Sequence, residues 1–151
     1  MTNPQQVLET ARTILLVDWP SPAVPRALLE AGFTVFSYSP GRYSKAEIAP
    51  SPPSDVDSGG VFPPKEQSEK GYLVFRRLGG QPSSADLVSV YRSAEEMPGI
   101  IADHVLPLRA RVIWLQRPVS SEDRTLAEKH GLVLIEGCDI AELARTLPRS
   151  Q

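Results

Sequence analysis

The tightest constraint on this chain is the stretch from Thr13 to Pro40. Ile14, Leu15, Leu16 and Val17 form an unbroken apolar run that closes on Asp18. A short corner, Trp19-Pro20-Ser21-Pro22, is followed by Val24, Leu28, Leu29 and Ala31 at helical spacing up to Gly32. A second β-rich run, Phe33 to Tyr38, comes next. Strand, helix and strand with so short a crossover predict a βαβ unit, its strands parallel neighbours and its connection right-handed. In such sheets ligands sit outside the carboxyl ends of the strands. Asp18 to Ser21 and Ser39 to Arg42, with Trp19, Pro40 and Gly41 among them, are therefore the first candidates for a site.

The alternation resumes after a break. A short helix is expected over 4–11, before the first strand. Ser21 has the chemistry of an N-cap, and Pro22 suits the first helical position. Residues 41–70 carry prolines and glycines among serines and charges with no sustained period, and read as an irregular Pro-rich insertion. Tyr72 to Leu78 forms a short extra strand. Asp86 to Tyr91, Arg111 to Leu115 and Leu132 to Ile135 are further strands. Ser93 and Glu96 have capping-box spacing before a helix whose inner face carries Met97, Ile100, Ile101, His104, Val105 and Leu108. Ser120 or Ser121 caps the next helix, and Asp139 and Glu142 frame the last. The pattern predicts an α/β fold: an open, mainly parallel sheet of about five strands with helices on both faces.

With 151 residues, one domain over 1–151 is expected. A chain of that size buries roughly 70% of its unfolded surface. A net charge of −2 with both signs mixed gives no reason to expect nucleic acid as a partner. The single cysteine, Cys138, rules out an intramolecular disulfide and a cysteine-rich metal site. No apolar run approaches the roughly 20 residues that span a bilayer, and residues 1–10 lack the pattern of a secretory signal. A soluble cytoplasmic protein without a membrane partner is the expected class.

Several chemistries are excluded. The turn after the first strand has no glycine, so the dinucleotide fingerprint is missing, and no P-loop pattern occurs. Asp18 lacks the partner carboxylates that phosphotransfer sites need; capping its own turn is the simpler role. His104 and His130 do not have metal-ligand spacing. Cys138 lies past the final strand at a helix start, where thiols can become reactive, but a small side chain packed under the edge is the commoner case. No catalytic or metal-binding set emerges.

These residues resemble the CoA-binding domain family of small bacterial proteins, which is Rossmann-like and related to the CoA-binding domain of the succinyl-CoA synthetase alpha subunit. Ser21-x-x-Val24, then Leu28-x-x-x-Gly32-Phe33, is similar to the family's first helix. Tyr38-Ser39-Pro40 stands where its Val-Asn-Pro closes the second strand. Asp86-Leu-Val-Ser-Val-Tyr91-Arg92 followed by Glu95-Glu96-Met97-Pro98 resembles its next strand and helix start. Ala110 to Gln116, Gly131-Leu132 and Cys138 match its last third. The resemblance covers about residues 12–41 and 71–138. The chain departs where the family has Gly-x-Ser and a longer loop ending in Arg-Pro-Ser; here Asp18-Trp19-Pro20-Ser21 replaces both. Pro40-Gly41-Arg42 is similar to the Pro-Gly-Lys of the synthetase relative.

Two readings follow. The resemblance implies a non-catalytic CoA or acyl-CoA binding protein with an atypical, glycine-free phosphate loop. The adenine is then expected near Ser39 and Pro40, the phosphates near Ser21 and Arg42, and the pantetheine arm toward Arg92, Gln116 and Cys138, with Asp18, Trp19, Val24, Gly41 and Tyr91 around them. The second reading is a degenerate Rossmann-like scaffold that has lost the cofactor and serves as a protein-interaction module, with a protein partner or a homodimer. It expects the insertion to fold over the empty site or to contact a partner.

Overall fold

The computed structural model describes residues 3–39, 41–56, 60–65 and 69–147. The first strand, β1 (Thr13–Val17), is the centre of the architecture. Ile14, Leu15 and Leu16 are wholly buried, because helices cover both faces of the sheet at this point. β1 pairs in parallel with β2 (Thr34–Tyr38) on one side and β6 (Leu87–Val90) on the other. β7 (Val112–Leu115) and β8 (Val133–Ile135) continue the parallel set. The open α/β sheet expected from the alternation, Rossmann-like as the resemblance implies, is thus present.

The helices divide between two core layers. α1 (Pro4–Thr10), α2 (Ala23–Glu30) and α5 (Ile140–Thr146) cover the face carrying Ile14, Leu16, Val35, Leu87 and Trp114. The opposite face carries Leu15, Val17, Val88, Val90 and Ile113, and packs on Met97, Ile101, Val105 and Leu108. Burying one such side chain contributes about 1.5–3 kcal/mol. α4 (Ser121–Lys129) begins with a full capping box, Ser120 and Asp123 answering each other's backbone N–H.

Three corrections concern the sequence reading. Among the described residues the sheet has eight strands, because β3 (Tyr43–Ala49), β4 (Val61–Phe62) and β5 (Tyr72–Arg77) add an antiparallel wing beside β2, giving the order β4-β5-β3-β2-β1-β6-β7-β8. β5 is the short extra strand expected over Tyr72 to Leu78, while β3 and β4 come from the region read as irregular. Its period was present, since Ser44 and Ala46 are buried while Lys45 between them is exposed. Second, α2 starts at Ala23 with Pro22 as its cap, one residue later than expected. Third, Ser93 does not cap through its side chain; its hydroxyl donates to the Glu96 carboxylate at 3.3 Å. The helix there is short, α3 (Met97–Ile100), and runs directly into a π-turn over Ile101–Val105.

Arg26 ties the wing to the rest. It projects from α2 and is 4% exposed, and it donates to the carbonyls of Gly71 at 3.0 Å and Phe62 at 3.3 Å. Glu69 lies 3.6 Å from its guanidinium. Removing this side chain takes a donor from both carbonyls, while the Glu69 carboxylate keeps the Lys65 N–H at 2.8 Å. Arg26→Ala is therefore expected to cost about 2–4 kcal/mol in urea denaturation, against about 0.5 kcal/mol or less for an exposed control such as Arg111→Ala.

Candidate functional site

Strand register defines one rim of the sheet. Val17 lies opposite both Tyr38 and Val90, and Val90 lies opposite Leu115. The next residue in each strand, Asp18, Ser39, Tyr91 and Gln116, therefore falls on the same carboxyl rim. Between β1 and β6 the chain leaves toward opposite faces, α2 on one and the Ala94–Val105 segment on the other. This is the topological switch point where open α/β sheets bind ligands.

Asp18 shapes that point. Its backbone is left-handed, φ 65°, a conformation that costs most side chains about 1–2 kcal/mol and that aspartate tolerates better than most. One carboxylate oxygen accepts the Trp19 N–H at 2.9 Å. The other accepts from Arg92 at 2.8 Å. Arg92 also makes a fork to Glu96, at 2.9–3.1 Å. These bonds, Glu96 first and Asp18 second, raise the Arg92 pKa, and Arg92 in turn holds Glu96 below the usual carboxylate range. The pairs are solvent-exposed, so they strap the crevice rather than stabilise the fold greatly.

The start of α2 offers little to an anion. Pro22 and Pro25 have no N–H. The Ala23 N–H bonds the Ser21 hydroxyl at 3.3 Å, that of Val24 bonds the Ser21 carbonyl at 3.1 Å, and that of Arg26 the Pro22 carbonyl at 3.2 Å. Every backbone donor from residue 22 to 26 is absent or occupied, so the usual phosphate cradle is not available here.

Two clefts open at the rim, one on each face, and Ser39 lines both. The cleft on the α2 face encloses about 760 Å³. Trp19 stacks on Phe75 with centroids 5.4 Å apart, meets Phe62 edge-on at 5.8 Å, and donates its indole N–H to Ser37. Arg42, Arg76 and Arg77 line this cleft. Arg76 is held by Glu47 and Asp55. The guanidinium groups of Arg42 and Arg77 have no partner among the described residues. Three arginines against one carboxylate, Asp55, suit a polyanion with a flat apolar part.

The cleft on the α3 face encloses about 520 Å³ and is lined by Val17, Tyr38, Ile100 and His104, with Asp18, Arg92, Glu95, Glu96 and Asp103 about them. His104, set by the π-turn, is 6% exposed. Its Nδ1 is hydrogen-bonded to the Tyr43 hydroxyl, and Tyr38 packs on its ring at 4.1 Å. Burial pushes the His104 pKa down against the opposing charge of Asp103, and burial raises that of Tyr43.

The residues singled out in the sequence divide among these features. Trp19, Ser39 and Arg42 line the first cleft; Asp18, Ser39, Gly41 and Arg92 line the second. Tyr91, Asp18 and Arg92 border a shallow third hollow at the switch point. Four lie apart from all three. Ser21 is occupied with the α2 turn, and Val24 is buried in the core. Gln116 accepts the Ile140 N–H at 3.1 Å, and Cys138 is partly buried and packs on the core beneath Trp114, whose indole N–H bonds its carbonyl. Pro40 lies outside the described residues. Sequence reasoning missed Arg77, His104 and Tyr43. Arg77 became visible only once β5 was known to pair with β3.

A family model described as "CoA binding domain" matches residues 16–144. Among solved structures, the chain is similar to the Thermus thermophilus protein described as "The structure of cell-free ID.343", at 22% identity over 87% of this chain and 86% of that one, with a TM-score of 0.47. No curated protein matches.

Two outcomes follow from the geometry. At the left-handed position Asp18→Gly should be more stable than Asp18→Ala by about 1 kcal/mol in denaturant melts, reversing the usual order of those residues. His104 titrates near 6.5 when unfolded and lower when folded. Between those values the unfolded chain binds more protons, so its contribution is full above about pH 6.5 and declines as pH falls toward the folded pKa. Asp18, Arg92, Glu95, Glu96 and Asp103 border the same cleft, so the comparison must be made with His104→Gln. The stability gap between wild type and variant is expected to narrow from about pH 7.5 to pH 5.5, and parallel curves would contradict the assignment.

Proposed function

The chain belongs to the CoA binding domain family, and on that premise we propose that it is a non-catalytic CoA or acyl-CoA binding protein whose phosphates are held by arginine side chains instead of a helix start. The observation that carries this is the pairing of two guanidiniums with no partner among the described residues, Arg42 and Arg77, with an aromatic-floored cleft at the switch-point rim. CoA bears a diphosphate and a ribose phosphate, and forked guanidinium contacts suit those groups. The occupied donors at α2 give the reason that side chains take this role. Trp19 and Ser39 then border the adenosine, with Gly41 close by; Pro40, included by resemblance, lies outside the described residues. Ser21, Val24, Gln116 and Cys138, included by resemblance, support that site from a distance in this reading. A binding role rather than catalysis fits the two bonds that already engage the Asp18 carboxylate and the position of Cys138 outside the clefts.

The same occupied donors favour a second reading, a scaffold that has lost the nucleotide and recruits a protein. The wing weighs against it, because Phe62, Phe75 and Arg77 form a wall of the cleft instead of filling it. Calorimetric titration separates the two. CoA should bind with an affinity that falls as salt rises, and Arg42→Ala and Arg77→Ala should each weaken it about tenfold. An absence of heat and of any melting shift at millimolar CoA leaves the second reading.

A further inference from the structure

The α3-face cleft holds a polar group that the phosphate site does not use. Hydrogen-bond geometry determines which atom of His104 carries its proton. The Gln81 amide nitrogen donates to the carbonyl of Asp103 at 2.8 Å, a pure acceptor, so this end of the amide is the nitrogen. The same nitrogen lies 2.8 Å from the Tyr43 hydroxyl and donates to it. Tyr43 receives one hydrogen bond from Gln81, and its own proton, which has no other acceptor among the described residues, goes to His104 Nδ1. A neutral imidazole with Nδ1 as acceptor carries its hydrogen on Nε2. Nε2 has no partner among the described residues, yet no side-chain nitrogen or oxygen among them is sealed away unbonded. His104 lines the cleft, so Nε2–H is a fixed donor facing it.

The surroundings narrow the ligand. Four carboxylates, Asp18, Glu95, Glu96 and Asp103, border the cleft against one arginine that two of them already hold, and this repels anions. A donor at depth repels an ammonium group, which has only donors to offer. Val17, Tyr38 and Ile100 supply an apolar wall. What remains is an uncharged group bearing a hydrogen-bond acceptor on an apolar chain. We infer that this cleft receives the acyl end of an acyl-CoA thioester, with the thioester carbonyl accepting from His104 Nε2–H. The inference rests on the CoA reading above. The charge divides accordingly: phosphates on the arginine side of the rim, the uncharged arm crossing at Ser39, and the carbonyl on the carboxylate-bordered side. Burial, which holds the imidazole neutral, keeps this donor in the same form across the physiological range.

The test compares CoA, acetyl-CoA and S-ethyl-CoA, the last a thioether of similar size without the carbonyl. Acetyl-CoA is expected to bind about fivefold to tenfold more tightly than S-ethyl-CoA. His104→Leu should bring that ratio to about one, and His104→Gln, whose amide can present N–H near the Nε2 position, should restore part of it. Tyr43→Phe, which frees the tautomer, should lower it as well. Nitrogen-15 spectra of the wild-type imidazole provide a measurement that needs no variant, and the Nε2-protonated form is expected. CoA binding with an acetyl-to-ethyl ratio of one, or an Nδ1-protonated His104, overturns the acyl assignment and leaves the CoA reading standing. If none of the three ligands binds, the CoA reading falls and the acyl assignment falls with it.

Discussion

A left-handed residue at the end of the central strand governs the whole rim. The chain must leave β1 sharply to begin α2, and Asp18 makes that turn without a glycine. Its side chain secures the turn by accepting the Trp19 N–H, which sends the indole onto the α2 face of the sheet. There Trp19 meets Phe62 and Phe75, residues that belong to the antiparallel wing. The same carboxylate reaches across the switch point to Arg92. One backbone conformation thereby links the parallel sheet, the wing and the crevice.

The wing changes what the site can do. A five-stranded parallel sheet would end at β2 and leave the α2-face rim open. β3, β4 and β5 extend the sheet and bring Arg76 and Arg77 beside Arg42. Positive charge that the proline-rich α2 start cannot supply through its backbone is supplied by side chains from neighbouring strands. On the other face the carboxylates of the Asp18–Arg92–Glu96 strap and of Asp103 keep the second cleft negative. The rim is thus divided by charge, with Ser39 at the boundary.

How much of this was legible in the sequence depends on the range of the interactions. The β1–α2–β2 unit was readable because its apolar run and helical spacing are local and both faces are buried. Of the wing, β5 was expected, but β3 and β4 were missed because prolines and serines around 50–64 masked a short period-2 pattern from Tyr43 to Ala49, although Pro40-Gly41 is a turn signal before it. The left-handed Asp18 left no mark, since aspartate at a turn has several ordinary roles. The His104 tautomer was beyond reach: it is set by Tyr43, and through Tyr43 by Gln81, which come from distant parts of the chain and meet only in the fold. Ser21, Gln116 and Cys138 have the right chemistry near the right strands, but the local packing of α2 and α5 engages or covers them.

The most direct measurement is a crystal structure of the protein with acetyl-CoA. The account predicts phosphate density against Arg42 and Arg77, no contact with the backbone of residues 22–26, and the acetyl carbonyl within hydrogen-bond distance of His104 Nε2. Phosphates seated on the start of α2, or a ligand confined to one face of the sheet, would contradict it.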